Sequence, residues 1–272
     1  MKDMKILNGS DLAEFIKERQ ATQVRNLRQE YKIAPKLAII VTIDNPVIDL
    51  YVRLKKRYGA ELLIDVDIHR VDQQEVPELI ANLNKDEAIH GIITQLPLAD
   101  TTETNKIVNM VAPEKDVDAL GDKAIYDPAT PMAILWLLAG YNVELKGKNI
   151  LLIGKGKLVG APLEKMLLSS GFNVTVADRD TKDLKAETLK ADIIITAAGS
   201  PAILFPEMVK QGAVVVDAGV ASEDGKTVGD VASELYERDD ITITPVKGGV
   251  GPLTVCALFD NVIRASRDTI KK

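Results

Sequence analysis

The sequence is poor in the residues that build cross-links and metal sites. One cysteine, Cys256, and two histidines, His69 and His90, occur in 272 residues. A single cysteine cannot form an internal disulfide, which fits a reducing compartment. These three side chains lie in unrelated parts of the sequence, so we expect neither a zinc site nor a Ser-His-Asp or Cys-His catalytic group.

Long apolar runs and an excess of positive charge are also missing. Residues 1–20 lack the apolar core of a signal peptide, and no stretch approaches the length of a membrane span. The formal net charge is −6, whereas binding to a nucleic-acid backbone favours a basic face. We therefore expect a cytoplasmic protein whose partner is a small molecule, with no nucleic acid and no membrane.

What the sequence does contain is an alternation of strand and helix patterns. The first half predicts strands at 36–43, 61–71 and 91–94 and helices at 10–31, 46–58 and 75–84, with Ser10 as an N-cap. The second half predicts strands at 149–154, 173–177, 192–198 and 213–219, helices at 130–138, from about 160 and at 182–190, and a last helix over 252–271, with Thr254 as a candidate N-cap.

This alternation is the signature of parallel sheets. We predict an α/β protein of two domains: an N-terminal α/β domain and a C-terminal, Rossmann-like, doubly wound parallel sheet. The predicted boundaries give residues 1–122 plus the C-terminal helix 254–272 to the first domain and residues 123–253 to the second.

A glycine-rich turn, Gly154 to Gly160, follows one strand and precedes a helix. Glycines there let the backbone approach a pyrophosphate at the helix N-terminus, which predicts a dinucleotide site; a tight turn without a cofactor is the alternative. Asp178, after the next strand, favours NAD because it can bind the ribose hydroxyls. Lys155 and Arg179 favour NADP because they can pair with a 2′-phosphate. Both coenzymes stay open.

A second group of polar residues lies in the first half. Tyr51 and Lys55 are spaced i,i+4 and share a helix face. Gln95 and Asp118 follow predicted strands or their connections, where open α/β sheets bind ligands. A lysine in an apolar cleft can have a lowered pKa and handle protons, and an amide with a carboxylate suits the edge of a heterocycle. The alternatives are a solvated helix face and a solvated acidic loop.

Near the C-terminus, Pro245 to Thr254 contains three glycines and two prolines. Such a loop can approach a ligand closely, or it can serve only as a tight connection between domains.

Taken in order along the chain, these motifs resemble the bifunctional methylenetetrahydrofolate dehydrogenase/methenyltetrahydrofolate cyclohydrolase family. The matching motifs are NP…YVxxK (Asn45 to Lys55), GIxxQLPL (Gly91 to Leu98), PxKDVD (Pro113 to Asp118), GKxxxxIG…VGxP (Gly147 to Pro162), ADIxxxAxGxP (Ala191 to Pro201), GAxVxDxG (Gly212 to Gly219), GDV (Gly229 to Val231) and ITPVxGGVGPxT (Ile243 to Thr254).

The resemblance implies two reactions: oxidation of 5,10-methylenetetrahydrofolate by a nicotinamide coenzyme, and hydrolysis of the methenyl product to 10-formyltetrahydrofolate. It implies that Lys55 handles the proton, Tyr51 positions the folate ring, Gln95 tunes Lys55, and Asp118 grips the pterin edge. Further folate contacts are implied for Leu96, Pro97, Pro252 and Leu253. Coenzyme contacts are implied for Gly154, Lys155, Gly156, Val159, Gly160, Pro162, Asp178, Arg179, Ala198, Gly199 and Gly219. The resemblance also implies a homodimer and favours NADP, with NAD possible.

Several positions depart from the family pattern. The segment between Asp118 and Thr130 is short, Ala119 replaces the usual glycine, and the phosphate turn and the residues at 178 and 179 differ. Because most departures fall on the coenzyme side, an enzyme with one activity and a non-catalytic binding protein remain alternatives to a bifunctional enzyme.

Overall fold

The structure, a computed structural model, describes residues 5–223 and 226–271. In chain order the helices and strands are β1 (Lys5–Ile6), α1 (Gly9–Glu30), β2 (Lys36–Val41), α2 (Pro46–Glu61), β3 (Asp65–Arg70), α3 (Val76–Lys85), β4 (Gly91–Thr94), α4 (Thr104–Val108), α5 (Ala129–Gly140), β5 (Ile150–Ile153), α6 (Gly160–Ser169), β6 (Val174–Ala177), α7 (Leu184–Lys190), β7 (Ile193–Thr196), β8 (Val214–Asp217), β9 (Ala221–Glu223), β10 (Lys226–Val228), β11 (Thr242–Ile243) and α8 (Val250–Asp268). Short 3₁₀ turns complete the described chain.

The chain divides into two compact units. The three-stranded unit comprises Glu14–Ala129 and the described residues from Val255, and the six-stranded unit comprises the described residues up to Ala13 and Thr130–Thr254. The predicted class, α/β with two domains, is confirmed. Among the described residues, no helix has the length and apolar character needed to cross a membrane.

The unit boundaries differ from the predicted ones at three places, the smallest of which is Thr254, which groups with the six-stranded unit. The described residues up to Ala13 group with the six-stranded unit because β1 pairs with β11. Residues 123–129 group with the three-stranded unit, where the Tyr126 hydroxyl donates to the Glu114 carbonyl at 3.2 Å and the Asp127 carbonyl accepts from Asn261.

The three-stranded unit is built around a parallel sheet of order β3-β2-β4. Five of the six residues of β2 are buried, as expected for the central strand of a parallel sheet covered on both faces. The chain also continues the sheet beyond β4: the Ile92 amide donates to the Lys115 carbonyl at 2.8 Å, and Ile92 bridges to Asp116 in parallel. This pairing places residues 116–118 beside β4.

Helix α2 is fixed at both ends. The Asn45 side chain accepts from the amides of Val47 and Ile48, so it caps the helix start. Near the other end, a Cβ on Gly59 would lie 2.5 Å from Val66 Cγ2, so only glycine allows this approach to β3. The rings of Tyr58 and Phe259 lie 5.1 Å apart, which packs α2 against α8.

The six-stranded unit has the parallel order β1-β11-β8-β7-β5-β6, and β9 and β10 form a separate antiparallel pair. The order reverses at β5, which lies between β6 and β7, as in doubly wound sheets. Fully buried aliphatic side chains fill its core, with Ile194, Leu204, Val215, Leu235 and Ile243 at 0% exposure. The turns after β5, β6, β7 and β8 share one edge because these strands are parallel.

Both predicted N-caps are wrong. Helix α1 begins at Gly9, and the Ser10 amide donates to the Asn8 side chain at 3.0 Å, so Asn8 supplies the cap. Helix α8 begins at Val250, four residues before Thr254, whose hydroxyl lies 3.4 Å from the Val250 carbonyl inside the first turn. The glycine-rich segment continues directly into α8, so this helix starts earlier than the residue pattern predicts.

Candidate active site

Lys55 and Gln95 are in direct contact in the three-stranded unit. Lys55 lies on α2, and its Nζ donates to Gln95 Oε1 at 2.7 Å. Gln95 directly follows β4, and its own Nε2 donates to the Leu96 carbonyl at 3.2 Å. The second hydrogen bond orients the amide, so that its oxygen faces the lysine.

Burial shifts the pKa values of Lys55 and Asp118 in opposite directions. The ammonium end of Lys55 is almost surrounded by protein, which lowers its pKa, while the negative charge of Asp118 opposes this change. Burial likewise raises the pKa of Asp118, and Lys55 opposes that shift. A desolvated lysine with a lowered pKa can accept and return a proton, which is the chemistry of a general base and acid.

The acidic segment at 116–118 is not a solvated loop. Asp116 is 4% exposed, and its carboxylate accepts from the amides of Leu120 and Gly121. It therefore closes the turn that follows Asp118. Ala119 stands inside this turn with φ of 55°, in the left-handed region that favours glycine.

Asn261 is a contributor that motif spacing did not indicate. This side chain on α8 is buried, and its Nδ2 donates at 2.9 Å to the carbonyls of both Val117 and Asp127. The hydrogen bond to Val117 holds the backbone next to Asp118. The only signal in the sequence is an asparagine in an otherwise apolar face of the last helix.

The other residues predicted to contact folate differ in accessibility. Tyr51 lies one turn before Lys55 on α2 and is 36% exposed. Leu96 is partly buried and Pro97 is exposed, next to Gln95. Pro252 and Leu253 belong to the six-stranded unit; Pro252 is partly exposed, but Leu253 is fully buried, so it offers no accessible surface for the predicted contact.

The glycine turn of the six-stranded unit is shaped by close backbone contacts. Gly154 has φ of 102°, and a Cβ there would lie 2.6 Å from the Ala197 carbonyl oxygen. A Cβ on Gly160 would collide with the Gly154 carbonyl, whereas a Cβ on Gly156 would meet no atom within 4 Å. The turn is thus tight at its two ends and open at Gly156.

The side chains around this turn are mostly exposed. Lys155 Nζ lies 3.2 Å from Glu164 Oε2 on α6, and Val159 and Pro162 are partly buried. Val159 precedes α6 and gives the helix no side-chain cap, so the first helical amides are not capped in that way. Asp178 and Arg179 follow β6 and are exposed; the Asp178 carboxylate accepts from the Asp180 amide at 3.0 Å.

Ala198, Gly199 and Gly219 lie on the neighbouring turns. Ala198 and Gly199 follow β7 and are exposed, and Gly199 has φ of 63°. Gly219 follows β8, and its amide donates to Asp217 Oδ1 at 3.0 Å. The predicted coenzyme residues therefore follow β5, β6, β7 and β8 at the edge where doubly wound sheets bind ligands.

Comparison with known proteins identifies the family. The catalytic domain of tetrahydrofolate dehydrogenase/cyclohydrolase matches residues 7–118, and the NAD(P)-binding domain of the same family matches residues 128–270. The chain belongs to the tetrahydrofolate dehydrogenase/cyclohydrolase family.

Individual relatives agree over nearly the full length. The bifunctional protein FolD of Francisella philomiragia is 36% identical over 97% of this chain and 99% of its own. The crystal structure of the bifunctional FolD enzyme from Campylobacter jejuni is 36% identical, with a TM-score of 0.91 and coverage of 98% of this chain and 99% of that one. FolD of Trypanosoma brucei, solved with NADP and an inhibitor, is 29% identical, with a TM-score of 0.92 and full coverage of both chains.

The glycine turn fits the dinucleotide that this family binds. The open side of Gly156 provides room for a pyrophosphate before the start of α6. Within the first turn of α6, the Ala161 amide already donates to the Gly156 carbonyl at 3.0 Å, and Pro162 has no N–H. The edge residues at Ala198, Gly199 and Gly219 extend this surface. Within the described part of the chain, no group of three or more His, Cys, Asp or Glu side chains is arranged to hold a metal.

Proposed function

We propose that this protein is a bifunctional enzyme that oxidises 5,10-methylenetetrahydrofolate and hydrolyses the resulting methenyl compound to 10-formyltetrahydrofolate. The observation that carries the proposal is the desolvated Lys55, whose Nζ donates to Gln95 Oε1 at 2.7 Å beside the charge of Asp118. The family membership supplies the substrate class, and the site supplies a group suited to the proton transfers.

Hydrolysis requires a base and then an acid at one place. Neutral Lys55 accepts a proton from the water that attacks the methenyl carbon, and the ammonium so formed returns it to ring nitrogen N5 as the bond from carbon to N5 breaks. The hydroxyl proton of the adduct leaves to solvent, and the formyl group stays on N10. Burial supports this role because it lowers the pKa of Lys55 and so favours its neutral form.

The remaining residues of the three-stranded site orient the substrate. Tyr51 positions the folate ring, Gln95 holds the Lys55 amine, and Asp118 binds the pterin edge. Leu96 and Pro97 contact the folate beside Gln95. In the six-stranded unit, Pro252 is a further proposed folate contact.

For the oxidation, the bound nicotinamide coenzyme supplies the hydride acceptor, and the chain binds and orients it. The turn from Gly154 through Gly160 to Pro162 binds the pyrophosphate, with Ala198, Gly199 and Gly219 along the same edge. NADP is the proposed coenzyme. Supporting this choice, the Asp178 carboxylate already accepts from Asp180, and Arg179 is exposed beside it for a 2′-phosphate.

We also propose a homodimer in the cytoplasm that binds neither membranes nor nucleic acid. The dimer rests on the family resemblance and is tested by light scattering. The net charge of −6 supports the absence of a nucleic-acid partner.

The proposal is tested by measuring the dehydrogenase and cyclohydrolase activities separately. The purified protein is incubated with methylenetetrahydrofolate and NADP or NAD while reduced coenzyme is followed, and methenyltetrahydrofolate hydrolysis is followed separately. Lys55→Met is expected to lower hydrolysis by at least about 100-fold, the usual contribution of a positioned acid–base group, and to keep the fold. Lys56→Met, at the exposed neighbouring position, is the matched control.

Three results would change the proposal. Unaltered hydrolysis in Lys55→Met removes the lysine from its role. Hydrolysis by the wild-type protein without coenzyme reduction leaves an enzyme with one activity. Folate binding without turnover leaves a non-catalytic binding protein.

A further inference from the structure

Asp230 is a buried carboxylate that has no role in the two reactions as described above. It follows β10, is 0% exposed, and accepts two backbone amides: Ala198 donates to its Oδ2 at 2.7 Å and Ser200 to its Oδ1 at 2.8 Å. Both donors lie on the turn after β7. This exposed turn contains Gly199 with a positive φ, so the carboxylate is a main constraint on its shape.

Asp217 fixes the backbone of Asp230 by hydrogen bonding. At the end of β8, its Oδ1 accepts from Thr196 Oγ1 at 3.0 Å and from the Asp230 amide at 3.1 Å. The same oxygen accepts from the Gly219 amide at 3.0 Å, and Oδ2 accepts from the Val231 amide at 3.1 Å. One carboxylate thus connects the end of β7, the turn after β8 and the segment that carries Asp230.

This arrangement is costly for stability and tightly packed. Burial, reinforced by the charge of Asp217, raises the pKa of Asp230, and the backbone amides that it accepts oppose this shift. A Cβ on Gly219 would collide with the Asp230 carboxylate, and a Cβ on Gly229 with that of Asp217. Burying a carboxylate such as that of Asp230 is unfavourable, and the backbone amides that it accepts offset part of this cost while fixing the geometry of the turn.

We propose that Asp230, braced by Asp217, is a positioning residue for the coenzyme: it holds the turn at 197–200 in the shape that presents Ala198 and Gly199 to the dinucleotide. The Asp230 carboxylate acts through the turn, because it accepts the amides of Ala198 and Ser200. The inference rests on the proposed dehydrogenase function, because it assigns these two carboxylates to the coenzyme side of that site.

The test compares Asp230→Asn with a matched control. The asparagine keeps the shape but places an NH₂ group against one of the two amides, so one hydrogen bond is lost. We expect the Kd for NADP to rise at least about tenfold, equivalent to about 1.4 kcal/mol. We expect kcat at saturating coenzyme, and methenyltetrahydrofolate hydrolysis, to stay within about threefold, since a loss confined to binding leaves kcat unchanged.

Asp192→Asn is the control. Asp192 precedes the other end of β7, and its carboxylate also accepts a backbone amide, that of Asn149 at 2.8 Å, and a lysine, Lys210. It should alter stability and leave the NADP Kd unchanged. If Asp230→Asn does not fold, Thr196→Val is the second test, because it removes one hydrogen-bond donor to Asp217. For this variant we expect faster amide hydrogen exchange at Ala198 and Ser200 and a raised Kd for NADP, and an unchanged Kd would overturn the positioning role.

The outcomes separate the inference from the function on which it rests. If the wild-type protein binds neither NADP nor NAD, the dehydrogenase proposal fails and the positioning role fails with it. If the wild-type protein binds NADP and folded Asp230→Asn binds it equally well, only the positioning role is overturned. A parallel loss of kcat, hydrolysis and stability would assign Asp230 a purely structural role.

Discussion

Lys55 and Asp118 influence each other's protonation, since each lies in a desolvated setting and carries the opposite charge. Asp118 raises the pKa of Lys55 and so partly cancels the effect of burial. In Asp118→Asn this opposing charge is gone, and the Lys55 pKa falls further. Because neutral Lys55 is the proposed base, we expect the rising limb of the hydrolysis pH–rate profile to move to lower pH.

The measurement is kcat for methenyltetrahydrofolate hydrolysis as a function of pH at saturating substrate. Glu114→Gln, an exposed carboxylate on the same segment, should leave the limb in place. If the rising limb of the pH–rate profile stays at the same pH or moves to higher pH in Asp118→Asn, the pairing of these two groups is contradicted.

Ala119 occupies a backbone position suited to glycine. Its φ is 55°, and a left-handed conformation costs a residue with a Cβ roughly 1–2 kcal/mol. Allowing for the greater entropy of glycine in the unfolded chain, we expect Ala119→Gly to raise the free energy of unfolding by about 0.5–1 kcal/mol. Denaturant unfolding measures this effect.

An alanine-to-glycine substitution within a helix is the control, and it should change the free energy of unfolding in the opposite direction. Ala81 is exposed within α3, so Ala81→Gly should lower the free energy of unfolding by about 1 kcal/mol. Equal losses in both variants would show that the turn at 119 gains nothing from glycine.

Some residues of the candidate site lie in sequence motifs, and others do not. Lys55, Gln95 and Asp118 were found because they lie in recognisable motifs, and the 2.7 Å contact between Lys55 and Gln95 agrees with the predicted pairing. Their roles in catalysis stay predictions. Asn261 and Asp230 were not singled out, since their partners are backbone groups distant in sequence, which no local pattern encodes.

At the level of elements, α8 supports the site through Asn261. Asn261→Leu keeps the size but removes both donors, leaving the buried Val117 carbonyl and the Asp127 carbonyl without this partner. An unsatisfied buried acceptor costs about 1–3 kcal/mol. We expect a loss of roughly 2 kcal/mol in unfolding free energy and a raised KM for the folate substrate, because the backbone beside Asp118 loosens.

Denaturant unfolding and substrate titration check this prediction. Asn82→Leu, on the exposed face of α3, is the control and should change stability by no more than about 0.5 kcal/mol. If Asn261→Leu is as stable as the wild-type protein, α8 does not hold the segment as described.

The longer elements were predictable and the shortest were not. Strands β2, β4, β5 and β7 are continuous apolar runs, and α2 and α3 follow helical patterns, so each was predicted near its observed bounds. For α6 only the start, near residue 160, was predicted, and it agrees with the observed start at Gly160. The two-residue strands β1 and β11 and the β9–β10 pair were not predicted. A strand this short is recognised only by the neighbouring strand with which it pairs. Helix α4, which spans only five residues, was not predicted either.

For the whole molecule, coenzyme binding should appear as added stability. At a coenzyme concentration of 100 times Kd, a ligand that binds only the native protein adds about 2.7 kcal/mol. We expect NADP to raise Tm more than NAD at equal concentration, and Arg179→Ala to remove most of this difference. Thermal unfolding with and without each coenzyme measures it, and an equal shift by both in the wild-type protein would contradict the proposed NADP preference.

The sequence by itself determined the α/β class, the two-domain order, the family and the motif residues around Lys55 and Gly154, because these depend on local periodicity and on residue types at short spacings. Only the tertiary structure decided that Asp116 is buried in a turn, that Asn8 and not Ser10 caps α1, and that Asp230 holds the turn after β7. These features depend on desolvation and on hydrogen bonds between segments far apart in sequence, which exist only once the chain has folded.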